Sequence, residues 1–563
     1  MPVNPPATQD AALRGRLEPA DPSPGTSDSG VPVSVLKDAL SDELPGLTLQ
    51  SPRLPDKFTH LTDEQYEAVL QILDGFRDNR VVVLDAPTGS GKTIIAETVR
   101  QLLGYRGLYV CHSKTLQDQF YSDFPTSGIV KGRSNYLPQR KIKGLTCADC
   151  NKSSQGDKPV CSWCPDVANC DYELAKRRAL ANPIAVINST YFLTECNGPG
   201  RFSKRPFGIL DEADTLEQEL MRFVEIRISP AMQARLELSP PTKVTKEESW
   251  RDWVDESLVR VKTKRINLDP SEQDVQLIRR AKYVENLYNR LQLLADGLEN
   301  QDWSYHGGKN TQDISFKPVV VDRLGREFLW GHCGKFLVMS ASIISASVML
   351  NDLGYDGSYA DVRMESQFDV KNRAIRVCPV ANMSRAANES AELIEAVGRI
   401  ASAHPGERIL LHTVSYQLAD TIISGLVRAG IGRRILTYHS ASERDRIVAE
   451  FRRTEEAILV APSLDRGVDF KDEDCRVNVI CKVPFPYLGD KQVSKRLYSP
   501  GGQTWYNVQT VRTIVQMTGR GTRHREDWSV NYILDKQFGN LWSKCKTLFP
   551  QWWKDALDWR YRL

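Results

Sequence analysis

The segment APTGSGKT, Ala86 to Thr93, limits what this chain can fold into more than any other feature. It follows VVVLD (81–85), an apolar run of the kind found in strands buried on both faces, and precedes the helical stretch TIIAETVRQLL. A strand, a glycine-rich turn and a helix in that order make a phosphate loop. Successive N–H groups of Gly89, Ser90, Gly91 and Lys92 can converge on phosphate oxygens at the helix N-terminus, where the helix dipole also favours an anion. Lys92 then reaches the β- and γ-phosphates, Thr93 offers its hydroxyl to Mg²⁺, and Ala86, Pro87 and Thr88 complete the loop. Ala86 stands where the general pattern has its first glycine, one small residue for another. Such a loop works at the edge of a parallel sheet covered by helices, so the expected fold class is α/β.

The rest of the chain supplies the partners a phosphate loop needs. FGILDEAD ends a strand by delivering Asp211 and Glu212 to the C-terminal edge of the sheet, Asp211 to hold Mg²⁺ and Glu212 to orient or deprotonate the attacking water. In QMTGRGTRHR, Gln516, Arg520 and Arg523 fall at i, i+4 and i+7 and share one helix face. Two arginines offered across a cleft stabilise charge on a transferring γ-phosphoryl group, an effect of about 10³–10⁵ in rate. Alone, the first motif is an acidic helix start and the second a solvated basic helix. Beside the phosphate loop, both belong to an ATP site that uses Mg²⁺.

At 563 residues the chain is too long for one core. Residues 1–45, rich in Pro, Ala, Ser and Asp, read as a disordered leader. Ordered sequence is expected from FTHLTDEQYEAVLQIL, where Thr62 caps a helix and Gln65 occupies the matching capping-box position. Strand–helix alternation through GLYVC, IAVIN and FGILD marks a first lobe over 46–345, interrupted by a cysteine-rich insert at 133–170 and a small helical insert at 226–312. ERILLHTV, RRILTYH, AILVAP, VNVICKV and VNYILD mark a second lobe over 346–563, and the aromatic terminus FPQWWKDALDWRYRL is expected to pack on it. No apolar run reaches eighteen residues and the start has no signal-like core, so a soluble, cytoplasmic protein is expected. The net charge of +3 does not oppose nucleic-acid binding, because the charge that matters is local.

Five of the twelve cysteines crowd into one stretch: Cys147, Cys150, Cys161, Cys164 and Cys170, in the pattern CxxC, ten residues, CxxC, five residues, C. Without a secretion signal this is a metal pattern rather than a disulfide framework. Four thiolates hold either a tetrahedral Zn²⁺ or a [4Fe–4S] cluster, and paired CxxC spacing by itself favours zinc.

Taken together, APTGSGKT, LDEAD, VMSASI (338–343), SLDRGVDF (463–470) and QMTGRGTR occur in the order of superfamily 2 helicase motifs, and the resemblance spans about 55–540. KGRSNYLP (131–138), the cysteine-rich insert, CDYELAKRRALANPIAVINSTYFL (170–193) and VPFPYLGD (483–490) resemble the iron–sulfur helicases of the DinG and XPD type. The resemblance implies two RecA-like lobes, a [4Fe–4S] cluster in the first insert and an arch domain in the second. It also implies an adenine-reading Gln65, a coupling role for Ser340, Ala341 and Ser342, and motif residues Gly467 and Asp469 that link ATP to the bound strand. Two departures stand out. Pro138 occupies the position of the family's first cluster cysteine, so Cys147 or Cys150 must replace it beside Cys161, Cys164 and Cys170; and Asp214 stands where the family has histidine.

The activity implied is ATP-driven separation of DNA strands, moving 5′ to 3′ on single-stranded DNA and acting at single-strand–duplex junctions. One chain carries both halves of the ATP site, so a monomer suffices. A translocase that displaces proteins without separating strands shares every motif, and the DEAD spelling leaves an RNA-directed motor as a further alternative. Strand contacts are expected from Thr115 and Gln119 in the first lobe, Thr413 and Ser415 in the second, and Lys131, Arg133 and Tyr136 at the edge of the cysteine insert.

Overall fold

The computed structural model describes residues 30–140, 143–150, 152–155, 158–161, 163–266, 275–297, 302–307, 313–384, 389–431, 434–462, 470, 472–519 and 527–563. Two seven-stranded sheets, every neighbouring pair parallel, form the cores of two lobes. The first contains β1 (Val81–Asp85), β2 (Gly107–Cys111), β3 (Gly128–Ile129), β4 (Ile184–Asn188), β5 (Arg205–Asp211), β9 (Cys333–Ser340) and β10 (Tyr359–Arg363), in the spatial order β10-β1-β9-β5-β2-β4-β3. Its inner strands are buried almost end to end because helices cover both faces, which explains runs such as VVVLD and GLYVC.

The second sheet contains β11 (Arg373–Ala381), β12 (Ile409–His412), β13 (Ile435–Thr437), β14 (Ile458–Ala461), β15 (Val477–Ile480), β16 (Ser529–Asp535) and β17 (Leu557–Asp558). Its order is β13-β14-β12-β15-β16-β11-β17. The chain's end therefore adds an edge strand to the second lobe, and Trp553, fully buried, donates its ring N–H to Thr518 Oγ1 at 2.7 Å. The packing expected of the aromatic terminus is what the structure has.

Three expectations about extent need correction. First, the leader drawn over 1–45 is too long. Residues 31–32 pair with 60–61, and α1 (Leu36–Glu43) buries Leu36 and Leu40 against Val69 and Ile72 of α2 (Asp63–Asp78). An eight-residue helix is marginal alone and owes its existence to that packing, which no local periodicity announces. Second, the first lobe does not end at 345: β10 pairs in parallel with β1, so the chain leaves this sheet only after residue 363.

Third, the insert drawn as helical over 226–312 is mixed. Two long helices, α5 (Glu247–Ile266) and α6 (Val275–Gly297), stand on an antiparallel sheet of β6 (Ile226–Ile228), β7 (Trp303–His306) and β8 (Ile314–Pro318). Ile314, Phe316 and Pro318 are buried alternately, the period of two that marks a half-covered strand. Trp250 and Trp253 of α5 cover that buried face, with ring centroids 5.5 and 5.6 Å from Phe316. No described helix is long and apolar enough to cross a membrane.

Candidate functional site

Three adjacent strands of the first sheet end at one edge. In the pairing register Ser340 lies opposite Asp85 and Met339 opposite Asp211, so β1, β9 and β5 bring Asp85, Ser340 and Asp211 side by side. From β1 the chain turns through Ala86–Gly91 into α3 (Lys92–Leu102). Gly89 and Gly91 have φ of +83° and +81°, a region that favours glycine. A side chain at Gly91 would also collide with Gln65, since its Cβ would sit 2.4 Å from Gln65 Nε2.

The capping box expected at Thr62 is present: Gln65 N–H donates to Thr62 Oγ1 at 3.3 Å and Thr62 N–H to Gln65 Oε1 at 3.1 Å. The same Gln65 amide donates to the Ser90 carbonyl at 3.2 Å, which ties the helix start to the phosphate loop. Lys92 folds over the loop and donates to the carbonyls of Ala86 and Pro87 at 3.1 and 3.3 Å. The buried Ser90 hydroxyl finds no hydrogen-bond partner among the described residues. A loop with bent-back lysine, two left-handed glycines and an orphaned hydroxyl fits a polyanionic ligand.

Asp211 is buried, and burial pushes its carboxyl up from the usual carboxylate range against the hydrogen bond from Tyr109 and the charge of Lys92. Its Oδ2 accepts from the Tyr109 hydroxyl, and its Oδ1 accepts from Glu212 N–H at 3.0 Å. Tyr109, fully buried on β2, also has the Thr93 hydroxyl near enough to pull its pKa down against the effect of burial, so one phenol lies beside both residues expected to hold Mg²⁺. Glu212 sits at φ +51°, a left-handed conformation costing roughly 1 kcal/mol for a residue with a Cβ. Such strain is retained where the surrounding structure over-determines it, commonly at functional sites. Burial also pushes the Asp85 carboxyl up to about 6, although Ile343 N–H points at it from 3.4 Å. The sequence reading passed over Asp85 and Tyr109 because each lies in a run that reads simply as buried strand.

The second lobe reaches this edge through α8 (Gly502–Thr518). Gln516 Nε2 donates to Asp214 Oδ2 and to Ser342 Oγ, both at 2.8 Å, and Ser340 Oγ donates to Asp214 Oδ1 at 2.6 Å. Arg512 donates from Nε to the Ser342 carbonyl at 3.1 Å. Asp214, which departs from the family's histidine, is thus the meeting point of VMSASI and the Gln516 helix. Gln516 Oε1 is buried with no partner among the described residues. Arg520, Arg523, Gly467 and Asp469 lie outside the described residues.

In the cysteine insert, Cys147, Cys150, Cys161, Cys164 and Cys170 are all buried and line one small cavity with Arg133, Val167 and Tyr172. Cys147 and Cys170 sulfurs are 3.9 Å apart, and those of Cys150, Cys161 and Cys164 lie within 4.8 Å of one another. Burial pushes the Cys147 and Cys164 thiols up, to about 12 and about 11, while the hydrogen bond from Cys150 pulls Cys161 down to about 5. The arrangement fits a metal centre: buried thiols converging on a common point. The long helical insert is tied to it. Arg279 of α6 pairs with Asp149 at 2.7 Å, and Lys282 donates to the carbonyls of Ala148 and Cys150 at 2.6 and 2.8 Å.

The expected strand contacts divide. Thr115 and Gln119 are exposed. Thr413 is fully buried and donates to the Ser415 carbonyl at 3.2 Å, while Ser415 Oγ accepts from Leu418 N–H at 3.3 Å and caps a helix. Arg133 donates to the Cys150 carbonyl at 3.2 Å, and the Tyr136 hydroxyl accepts from Lys131 N–H at 3.0 Å while its ring packs edge-on against Tyr172. These last two brace the insert.

Residues 397–556 match the family described as a helicase C-terminal domain, and residues 58–187 match the type III restriction enzyme res subunit. Among curated proteins, the chain is 29% identical over 177 residues to the Fanconi anemia group J protein homolog of Gallus gallus, covering 26% of this chain and 14% of that one. It is 35% identical over 89 residues to the regulator of telomere elongation helicase 1 homolog of Drosophila virilis, covering 14% of this chain and 9% of that one. Those relatives are thus matched over a small part of their length. Among solved structures, an XPD helicase aligns with TM-score 0.61 at 16% identity, over 87% of this chain and 98% of that one. The S. tokodaii Xpd4 structure aligns with TM-score 0.57 at 12% identity, over 88% and 99%. At such identities the likeness is one of fold.

Proposed function

We propose that this chain, a superfamily 2 helicase of the XPD and DinG type, is an ATP-driven motor that travels along single-stranded DNA and separates duplex strands ahead of it. The observation that carries the reading is the contact of Gln516 with Asp214 and Ser342, because it joins the second lobe to the acidic strand of the first. A site built that way senses whether the cleft is closed.

In this reading the loop N–H groups of Gly89 to Lys92 bind the phosphates, with Lys92 released from Ala86 and Pro87 onto the β- and γ-phosphates. Thr93 and Asp211 would hold Mg²⁺, which would neutralise phosphate charge, and the Tyr109 hydrogen bond keeps Asp211 aimed beside Thr93. Glu212 orients the attacking water, to which the open Gln516 Oε1 is an acceptor. Gln65, Arg520, Arg523, Gly467 and Asp469 carry the roles the family resemblance assigns them. Closure and reopening of the cleft ratchet the strand, and by that resemblance the direction is 5′ to 3′. The name of the telomere elongation helicase relative supports DNA over RNA as the track. One chain supplies both sides of the cleft, so a monomer suffices for the motor.

Family resemblance makes the bound metal a [4Fe–4S] cluster held by four of the five cysteines. Once bound, it cross-links the segments that carry them, bracing the region where strands part. The approach of the Cys150, Cys161 and Cys164 sulfurs to within 4.8 Å of one another supports a second reading, a Zn²⁺ whose four Zn–S bonds of about 2.3 Å would set tetrahedral edges of roughly 3.8 Å.

The test is strand displacement with duplexes bearing a 5′ or a 3′ single-stranded tail, with Lys92→Ala as control. ATP-dependent displacement of the 5′-tailed duplex alone is expected, with Lys92→Ala inactive but still binding the tail. Strand-stimulated hydrolysis without displacement on either substrate would instead make the chain a translocase.

A further inference from the structure

α7 (Lys491–Leu497) lies between β15 and α8 in the chain, yet four of its side chains are seated on the first lobe. Gln492 donates to the Val319 carbonyl at 2.8 Å, Lys495 to the Trp303 carbonyl at 2.9 Å and Lys491 to the Tyr305 carbonyl at 3.4 Å. The fourth, Arg496, is 2% exposed. It pairs with Glu217 at 3.0 Å and with Asp352 at 2.8 Å, donates to the Val319 carbonyl at 3.2 Å, and stacks over Trp505. Glu217 belongs to α4 (Leu216–Val224), the helix that follows DEAD, and it also accepts from Trp505 Nε1 at 3.2 Å and Gln509 Nε2 at 3.1 Å.

One face of α8 thus meets the first lobe at two places of different character. Near its start, three lobe-two donors converge on a buried carboxylate within an ion-paired cluster. Near its end the contacts are hydrogen bonds without an ion pair: Gln516 donates to Asp214 and Ser342, and Arg512 to the Ser342 carbonyl. Separating a buried ion pair costs more than releasing such hydrogen bonds. When the cleft opens, the cheaper end gives way first.

We propose that Arg496 is the pin about which the two lobes turn, with α7 fixed to the first lobe while the contacts of Gln516 with Asp214 and Ser342 form and break. Gln516 lies eleven residues beyond Trp505, about 16 Å along the helix axis. A small rotation at the pin becomes a displacement of ångströms at the ATP edge. Because α7 rests on β7 and on Val319 just past β8, the base of α5 and α6 stays with the first lobe throughout the cycle. This rests on the motor reading above.

Amide hydrogen exchange on the full, metal-loaded chain tests it without any substitution. The protein is compared nucleotide-free, with Mg²⁺ and a non-hydrolysable ATP analogue, and with a single-stranded oligonucleotide added. Amides of α7 should exchange at the same rate within twofold in all states, while those of 515–519 change tenfold or more. Tenfold faster exchange in α7 in any state overturns the pin, as does unchanged exchange at both ends. Arg496→Met adds a second readout, since it keeps packing on Trp505 but removes both ion pairs. Strand stimulation of hydrolysis should fall at least tenfold with affinity for the ATP analogue held within twofold, and Arg496→Lys should restore part of it. A folded Arg496→Met variant with wild-type stimulation refutes the pin. Absence of strand stimulation in the wild type would instead refute the motor reading, and the exchange comparison with nucleotide alone would still test the pin.

Discussion

Gln516 of the second lobe donates a hydrogen bond to Asp214 of the first at 2.8 Å, and the same Asp214 accepts from Ser340 on the opposite oxygen. The last residue of DEAD therefore joins the sheet edge that leads into Ala86–Gly91 to the α8 helix of the second lobe. Gln516→Ala should lower kcat for ATP at least tenfold with KM within threefold, since a hydrogen bond to a charged group is worth about 1.5–3 kcal/mol. In a double-mutant cycle with Asp214→Asn, the two losses should fall short of additive by about 1 kcal/mol. Additive effects would mean that the contact does not act as a unit in turnover.

Tyr109 hydrogen-bonds Asp211 and lies near Thr93, the two residues proposed to hold Mg²⁺. Tyr109→Phe keeps the ring and removes only the hydroxyl. The Mg²⁺ concentration giving half-maximal hydrolysis should rise roughly tenfold, the equivalent of about 1.4 kcal/mol, with binding of metal-free nucleotide unchanged. An unchanged Mg²⁺ dependence would reduce Tyr109 to a packing residue.

Five thiols line one cavity where a bound metal or cluster would take four, and Cys150 lies within 4.8 Å of both Cys161 and Cys164 whereas Cys147 leans on Cys170. Cys150→Ser should lose the metal and Cys147→Ser should retain it, read as iron or zinc per chain and as the visible spectrum. The reverse result would assign Cys147 as the ligand. Four irons with a charge-transfer band would identify a [4Fe–4S] cluster, and one zinc without colour the alternative.

Asp352 carries a pH dependence. Burial and the neighbouring Glu217 push its carboxyl up to about 7, against the pull of Arg496 and Arg512. A carboxyl held above its unfolded value favours the fold most below about pH 4, and that contribution is lost as pH rises through 7. Between pH 5 and pH 8 the melting temperature of Asp352→Asn should therefore rise relative to wild type, by about 2 °C or more. A difference that does not change with pH would mean that Asp352 is ionised in the fold throughout.

Local chemistry was legible where function confines it to consecutive residues. The strand–loop–helix at Ala86–Thr93, the carboxylates ending FGILD and the box joining Thr62 to Gln65 are each short-range necessities, readable from residue type and spacing. The cysteine cluster was legible for the same reason, although its metal was not: sulfur ligands of either kind use the same spacing.

What stayed hidden depends on residues far apart in the chain. Tyr109 reads as one more apolar position until the pairing of β2 with β5 sets it beneath Asp211. Leu36 and Leu40 lie in a segment too short and too polar to announce a helix, and only the core under α2 makes one of it. Arg133 and Tyr136 resemble a basic–aromatic grip on a strand until the Cys150 carbonyl and the Lys131 N–H claim them.

For this chain, sequence alone determined the chemistry of the nucleotide edge, because binding phosphate and Mg²⁺ demands specific groups within a few residues of one another. Only the tertiary structure decided how the lobes are joined. Glu217, Asp352 and Arg496 are separated by more than a hundred residues at each step and become partners only where burial removes water. Out of water a charge must find its counter-charge, and which one it finds is a property of the packing rather than of the chain.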